Sequence, residues 1–256
     1  MSLGRRKVGL DESTRWVFNR MADVYDARPP YPADLVDAIA ALARSRSGGP
    51  GRVVDIGAGI GHLALPLAQR GLEVVAIEPA AAMLARLEAA AAAGKHHLRA
   101  CHAPAERLPL PDGCVDLAVV ADALHFLDAE LTAHEIDRVL ARKGGTLVVI
   151  TCEWGSTPFM REVVRIIEAA VPRRPRDLLK QLVQVSAITR VALTDERRFQ
   201  DDTPVDHATL DRILRSISFI GPAMHAQRFA DFRARVHALP DKPSWARSFV
   251  LRSGRR

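Results

Sequence analysis

The run Val53-Val54-Asp55-Ile56-Gly57-Ala58-Gly59-Ile60-Gly61 sets three glycines at alternate positions directly after a short apolar stretch. Glycine has no Cβ, so the backbone there can turn sharply and approach a bound molecule closely. A helix beginning just beyond the turn offers unpaired N–H groups in its first turn. Glu78 follows Gly57 by 21 residues and ends the next apolar stretch. From such a position a carboxylate can accept hydrogen bonds from both ribose hydroxyls of a nucleoside ligand. A dinucleotide fingerprint requires G-x-G-x-x-G, but its third glycine would fall on His62. Asp55, two residues before the first glycine, suits a cationic amino-acid group better than a pyrophosphate. The expected chemistry is binding of a positively charged nucleoside; the alternative is a glycine turn that only packs.

His125 is the side chain best suited to proton transfer. It follows the fourth apolar stretch, at the carboxyl edge where open α/β sheets bind ligands. A neutral imidazole there can take a proton from a reacting hydroxyl, an effect worth roughly 10²–10⁴-fold. The alternative is a histidine that only forms part of the pocket wall. His62, His96, His97, His102, His134, His207, His225 and His237 show no metal-ligand spacing, and no metal is expected. Cys101, Cys114 and Cys152 form no C-x-x-C pair, so reduced structural thiols are expected.

These residues must be positioned by alternating strands and helices. Helices are expected from Glu12 to Tyr25 and from Ala33 onward, where Leu35, Val36, Ile39 and Leu42 share a face. Between them Arg28-Pro29-Pro30-Tyr31-Pro32 breaks the chain. Strands are expected at 53–56, 72–77, 98–101, 115–121 and 146–151, with helices at 62–70, 80–93 and 131–141 between them. That alternation implies an α/β fold with a Rossmann-like, mostly parallel sheet covered by helices on both faces. Residues 158–171, 176–185, 206–216 and 229–239 read as helices, 188–193 and 196–200 as short strands or irregular chain, and 245–251 as a final strand. One domain over 1–256 is expected, with a helical cover at 11–46 and a cap at 153–232.

These motifs resemble the class I S-adenosylmethionine (SAM)-dependent methyltransferases of the small-molecule type, nearest the ubiquinone/menaquinone-biosynthesis-like and trans-aconitate-methyltransferase-like groups. The resemblance covers residues 16–151, and 203–219 more faintly, and implies a seven-stranded sheet. The family's glycine motif matches VDIGAGIG, and its acidic strand end matches Ala76-Ile77-Glu78-Pro79. Its adenine-side motif matches Pro104-Ala105-Glu106-Arg107-Leu108-Pro109, with Pro104 where relatives often carry Asp. Its A-x-A-x-H-W-F-D signature matches Ala121 to Asp128, with Phe126 in place of Trp. The resemblance implies that Asp55, Gly57, Gly59, Gly61, Glu78, Pro79, Ala105, Glu106 and Ala121 bind SAM. It further implies that Tyr25 and Arg28 close over the cofactor, Arg28 facing the methionine carboxylate. The alternative for these two is a core tyrosine and a solvated helix-end arginine.

Composition narrows the partners. The 256 residues are 48% hydrophobic and 26% charged, as in a globular protein, and no apolar run approaches a membrane span. The opening MSLGRRKVGLDESTRW has no apolar stretch of a secretory leader, so a cytoplasmic location is expected. The net charge is +6, but only Lys7, Lys95, Lys143, Lys180 and Lys242 among the 36 basic residues are lysines. With aromatics at 5% and basic clusters only at Arg5–Lys7, Arg173–Arg176 and Arg252–Arg256, no nucleic-acid partner is expected. The expected reaction is methyl transfer from SAM to a hydroxyl or carboxyl oxygen of a small secondary metabolite, leaving S-adenosylhomocysteine. Rival readings are carbon or nitrogen methylation, an RNA or protein acceptor, and a SAM-binding protein with another activity.

Overall fold

Strand residues that alternate between two apolar faces build the centre of the fold. The computed structural model describes residues 12–43, 49–96, 98–171 and 177–256. Strands β1 (Arg52–Ile56), β2 (Glu73–Glu78), β3 (Leu98–His102), β4 (Leu117–Ala121) and β5 (Thr146–Trp154) run parallel. With β6 (Asp195–Pro204) and β7 (Ser244–Arg255) they form a seven-stranded sheet in the order β3-β2-β1-β4-β5-β7-β6, β7 antiparallel to both neighbours. Leu117 and Val119 join one buried cluster while Ala118 and Val120 join the opposite one, the two-residue period of a strand buried on both faces.

Helices α1 (Glu12–Met21), α2 (Ala33–Leu42), α3 (Ala64–Gln69), α4 (Ala81–Ala93), α5 (Ala129–Val139), α6 (Pro158–Ala170), α7 (Leu178–Thr189), α8 (His207–Arg215) and α9 (Ala226–His237) complete the described elements. Leu35, Ile39, Leu67 and Leu87, from α2 to α4, fill one face; Ile136, Val139, Leu182 and Val185, from α5 and α7, fill the other. Each fully buried aliphatic side chain contributes roughly 1.5–3 kcal/mol. A third cluster joins Phe159, Ile167, Ile213 and Phe232 of α6, α8 and α9 to Trp154 and Trp245, at the ends of β5 and β7 beside the site.

Several boundaries differ from the sequence expectation. The first helix stops at Met21, and Tyr25–Ala27 forms a separate 3-10 turn ahead of the prolines. The segment 153–232 is not one helical cap: α7 packs against α5, and β6 joins the sheet. In β6 only Phe199 is buried, so the apolar alternation that marks a strand is missing; ten register pairs with β7 carry it. Residues 188–189 finish α7, which ends where Arg190 takes a left-handed φ of 54°. Arg5–Lys7, Arg173–Arg176, His97 and most of the expected loop at 45–51 lie outside the described residues. Among the described residues no helix is long and apolar enough to cross a membrane.

Candidate functional site

The carboxyl ends of β1, β2, β4 and β5 open into one cavity, and the glycine turn forms its floor. Gly57, Gly59 and Gly61 all have positive φ, at 78°, 58° and 91°. A Cβ at Gly57 would lie 2.8 Å from that of Ala123, so only glycine lets β1 turn beside the end of β4. At Gly59 the nearest atom to an added Cβ is Tyr25 Cε1 at 3.9 Å, so a side chain would enter the space between turn and cover.

Glu78 is held in place by the turn itself. Its Oε2 accepts from Gly59 N and its Oε1 from Ala80 N, both at 2.8 Å, and the residue is 6% exposed. Burial raises its pKa, against the pull of those two N–H groups. Asp55, 1% exposed, also lines the cavity, and its Oδ2 has no hydrogen-bond partner in the chain. Burial, and then the charge of Glu78, push Asp55 up to about 7, while Ala64 N–H opposes them. A buried carboxylate with an unpaired oxygen on a cavity wall is a place for a cationic donor.

The segment after α1 covers this floor. Tyr25 and Arg28 both line the cavity, and the Arg28 guanidinium stacks on the Tyr25 ring at 4.3 Å. Arg28 Nη1 donates to Tyr25 Oη at 3.2 Å, while Nε and Nη2 donate to the hydroxyl and carbonyl of Ser216, each at 2.7 Å. Arg28 is therefore no solvated helix-end charge; it ties the cover to the end of α8. Phe18 of α1 meets Phe126 edge-on at 5.0 Å and closes another wall.

Pro79, Ala105 and Ala121 line the cavity, but Glu106 does not. Its Oε1 accepts from Asp128 N at the start of α5 at 3.0 Å, while its buried Oε2 has no hydrogen-bond partner in the chain. His125 lies on a 3-10 turn, Leu124–Phe126, held by Gln181 Nε2 donating to Leu124 O at 3.3 Å. It lines the main cavity and also a second, polar one bordered by Asp128, Glu130, Lys180 and Gln181.

Four lining residues were not singled out from sequence. His62 stacks with Tyr25 at 5.9 Å; burial, then the charges of Arg28 and Arg247, lower its pKa to about 4, so it is neutral near pH 7. Asp122, at the end of β4, takes a left-handed φ of 48°. Arg247 comes from the last strand, and Cys152 from β5. Burial, then the charge of Asp122, push the Cys152 thiol far above its usual range. His62 directly follows the glycine turn and Asp122 lies within the 121–128 signature, so both have a local sequence signal; Cys152 and Arg247 arrive through sheet topology. Among the described residues no three His, Cys, Asp or Glu side chains converge as a metal site.

Comparison with known proteins bears on this geometry. Residues 54–149 match the methyltransferase domain family. An uncharacterized methyltransferase of Mycobacterium tuberculosis is 37% identical over 152 residues, covering 59% of this chain and 55% of the relative. Over residues 54–149 the chain is thus similar to methyltransferase domains. It spans about half the length of the mycobacterial relatives it matches. A malonyl-[acyl-carrier protein] O-methyltransferase of Geobacter sulfurreducens is 29% identical over 226 residues, covering 86% of this chain and 82% of that one. The methyltransferase fold itself recurs in the solved structure of a putative type II methyltransferase from Anaeromyxobacter dehalogenans. That structure has a TM-score of 0.59 at 22% identity, covering 89% of this chain and 97% of that one.

Proposed function

We propose that the protein transfers the methyl group of SAM to an oxygen of a small-molecule acceptor. The observation that carries this reading is the pair of buried carboxylates beside the glycine turn. Glu78, fixed by Gly59 N and Ala80 N, would accept ribose hydroxyls, and Asp55 Oδ2, which has no partner in the chain, would accept a cationic amino group. Tyr25 and Arg28 would close over the cofactor, and Pro79, Ala105 and Ala121 would line its space. Bound SAM supplies a sulfonium-activated methyl group, so the protein mainly has to orient the acceptor and exclude water. Orientation of that kind supplies roughly 7–11 kcal/mol of a barrier.

His125 would accept the proton released by an acceptor hydroxyl, and its second face, on the polar cavity, offers that proton a way to solvent. An oxygen acceptor also agrees with the name of the Geobacter relative. Trp154, Phe219, Trp245 and Phe249 line the cavity and favour an organic metabolite partly enclosed by apolar rings. The test is incubation with SAM bearing an isotopically labelled methyl group and a small-metabolite extract. Label in a small product, with S-adenosylhomocysteine formed in equal amount, is expected. Label in RNA or protein, or no transfer despite binding, would reject the acceptor class or the reaction.

A further inference from the structure

The cover crosses the cavity on two consecutive prolines, and this leaves a problem in backbone pairing. Pro29 and Pro30 have carbonyls but no N–H, so the segment cannot join a ladder of its own. One side chain from the far end of the chain meets both carbonyls. Arg247 Nη1 donates to Pro29 O at 2.8 Å and Nη2 to Pro30 O at 2.6 Å. The same guanidinium is gripped from behind by Asp201, its register partner across β6 and β7, through Nε at 3.1 Å and a second bond from Nη2. Arg247 is 8% exposed, lines the cavity and stacks on Phe249 at 4.9 Å. Phe249 in turn meets Tyr31, just past the prolines, at 5.5 Å.

We propose that Arg247 is a positioning residue that sets the cover over the cofactor cavity, with Asp201 aligning it. Its planar fork meets two carbonyls and a bidentate carboxylate at once, a geometry that an ammonium cannot reproduce. The last two strands thereby fix the prolines directly after Arg28, while Arg28 itself is held by Ser216 at the end of α8. The inference rests on the SAM reading for its ligand but not for its mechanics.

The test compares Arg247→Lys and Asp201→Asn with wild type, using S-adenosylhomocysteine as the probe. In Arg247→Lys the affinity should fall by about tenfold or more, and ligand-free hydrogen exchange should quicken in residues 25–32 while the central strands keep their protection. Asp201→Asn, which keeps the guanidinium but loosens its grip, should fall between that variant and wild type. Unchanged affinity and unchanged exchange at 25–32 in a folded variant would overturn the proposal. So would faster exchange spread evenly over the sheet, which marks a merely structural role. If Arg247→Lys fails to fold, Asp201→Asn decides by the same criteria. Absence of binding by wild type would reject the SAM reading, while the ligand-free exchange comparison would still judge Arg247.

Discussion

Glu78 ends β2 and Asp55 lies one residue before the end of the neighbouring parallel β1, both as buried carboxylates, and the charge of Glu78 is one cause of the raised pKa of Asp55. Two such anions side by side are costly in a dry site, so without ligand the pair relieves itself by holding a proton. A cationic ligand removes the need for that proton.

This makes cofactor binding pH-dependent. With Asp55 titrating at about 7, affinity for S-adenosylhomocysteine should fall as pH drops from 8 to 6, approaching tenfold per unit at the acid end. Stability of the free protein should move the other way. Between about 4 and 7 the native Asp55 holds a proton that the unfolded chain has lost, so its contribution declines as pH rises. Asp55→Asn should flatten both profiles, raise the melting temperature of the free protein above pH 7 and weaken binding. Calorimetry and thermal unfolding across pH 5–9 check this; profiles that keep their slope in the variant would reject it.

Glu78→Ala should cost about 1.5–3 kcal/mol of cofactor affinity, the value of a hydrogen bond to a charged group. It also leaves Gly59 N and Ala80 N without their acceptor, so a smaller stability loss is expected. Calorimetry on folded protein with unchanged affinity would remove Glu78 from the site.

Gly57→Ala and Gly59→Ala should fail differently. At Gly57 the left-handed backbone costs about 1–2 kcal/mol and the close contact with Ala123 about 1–3 more. At Gly59 only the backbone cost applies to folding, but the new methyl enters ligand space. Denaturant unfolding and calorimetry should therefore show the larger stability loss for Gly57→Ala, and for Gly59→Ala a binding loss out of proportion to its stability loss.

Residues 25–32 should exchange amide hydrogen more slowly with S-adenosylhomocysteine bound than without it, because the cover closes against the occupied cavity. Equal protection in both states would make this segment ordinary scaffold.

His125→Ala should lower kcat with little change in SAM affinity, and the pH–rate profile on the true acceptor should lose its ascending limb near the histidine range. A limb that survives, with a raised acceptor KM, would leave His125 as a wall that orients the substrate.

The glycine turn and Glu78 were legible in sequence because their signal is local: a turn needs glycines at fixed spacing, and a strand of fixed length ends at a fixed place. Glu106 lies off the cavity lining because its motif fixes the backbone beside the cavity, through Ala105, but leaves the side chain to the bond it makes at the start of α5. Arg247, Asp201 and Ser216 were invisible for a different reason. Their roles arise where β6, β7 and the end of α8 fold back over the amino-terminal segment, and no local pattern marks contacts across 46 residues for Asp201, 188 for Ser216 and 218 for Arg247. Strand β6 was blurred because an edge strand buries one ring rather than an alternating row.

Cys152 gives the cavity a sulfur atom beside the space proposed for an electrophilic methyl donor. A thiolate there would compete with the acceptor, and each loss would alkylate the protein itself. Burial and then the negative charge of Asp122 raise the pKa of the thiol and so disfavour the thiolate, and an undissociated thiol is a poor nucleophile. On the proposed reaction, the environment that encloses the acceptor thus also protects the protein from methylating itself.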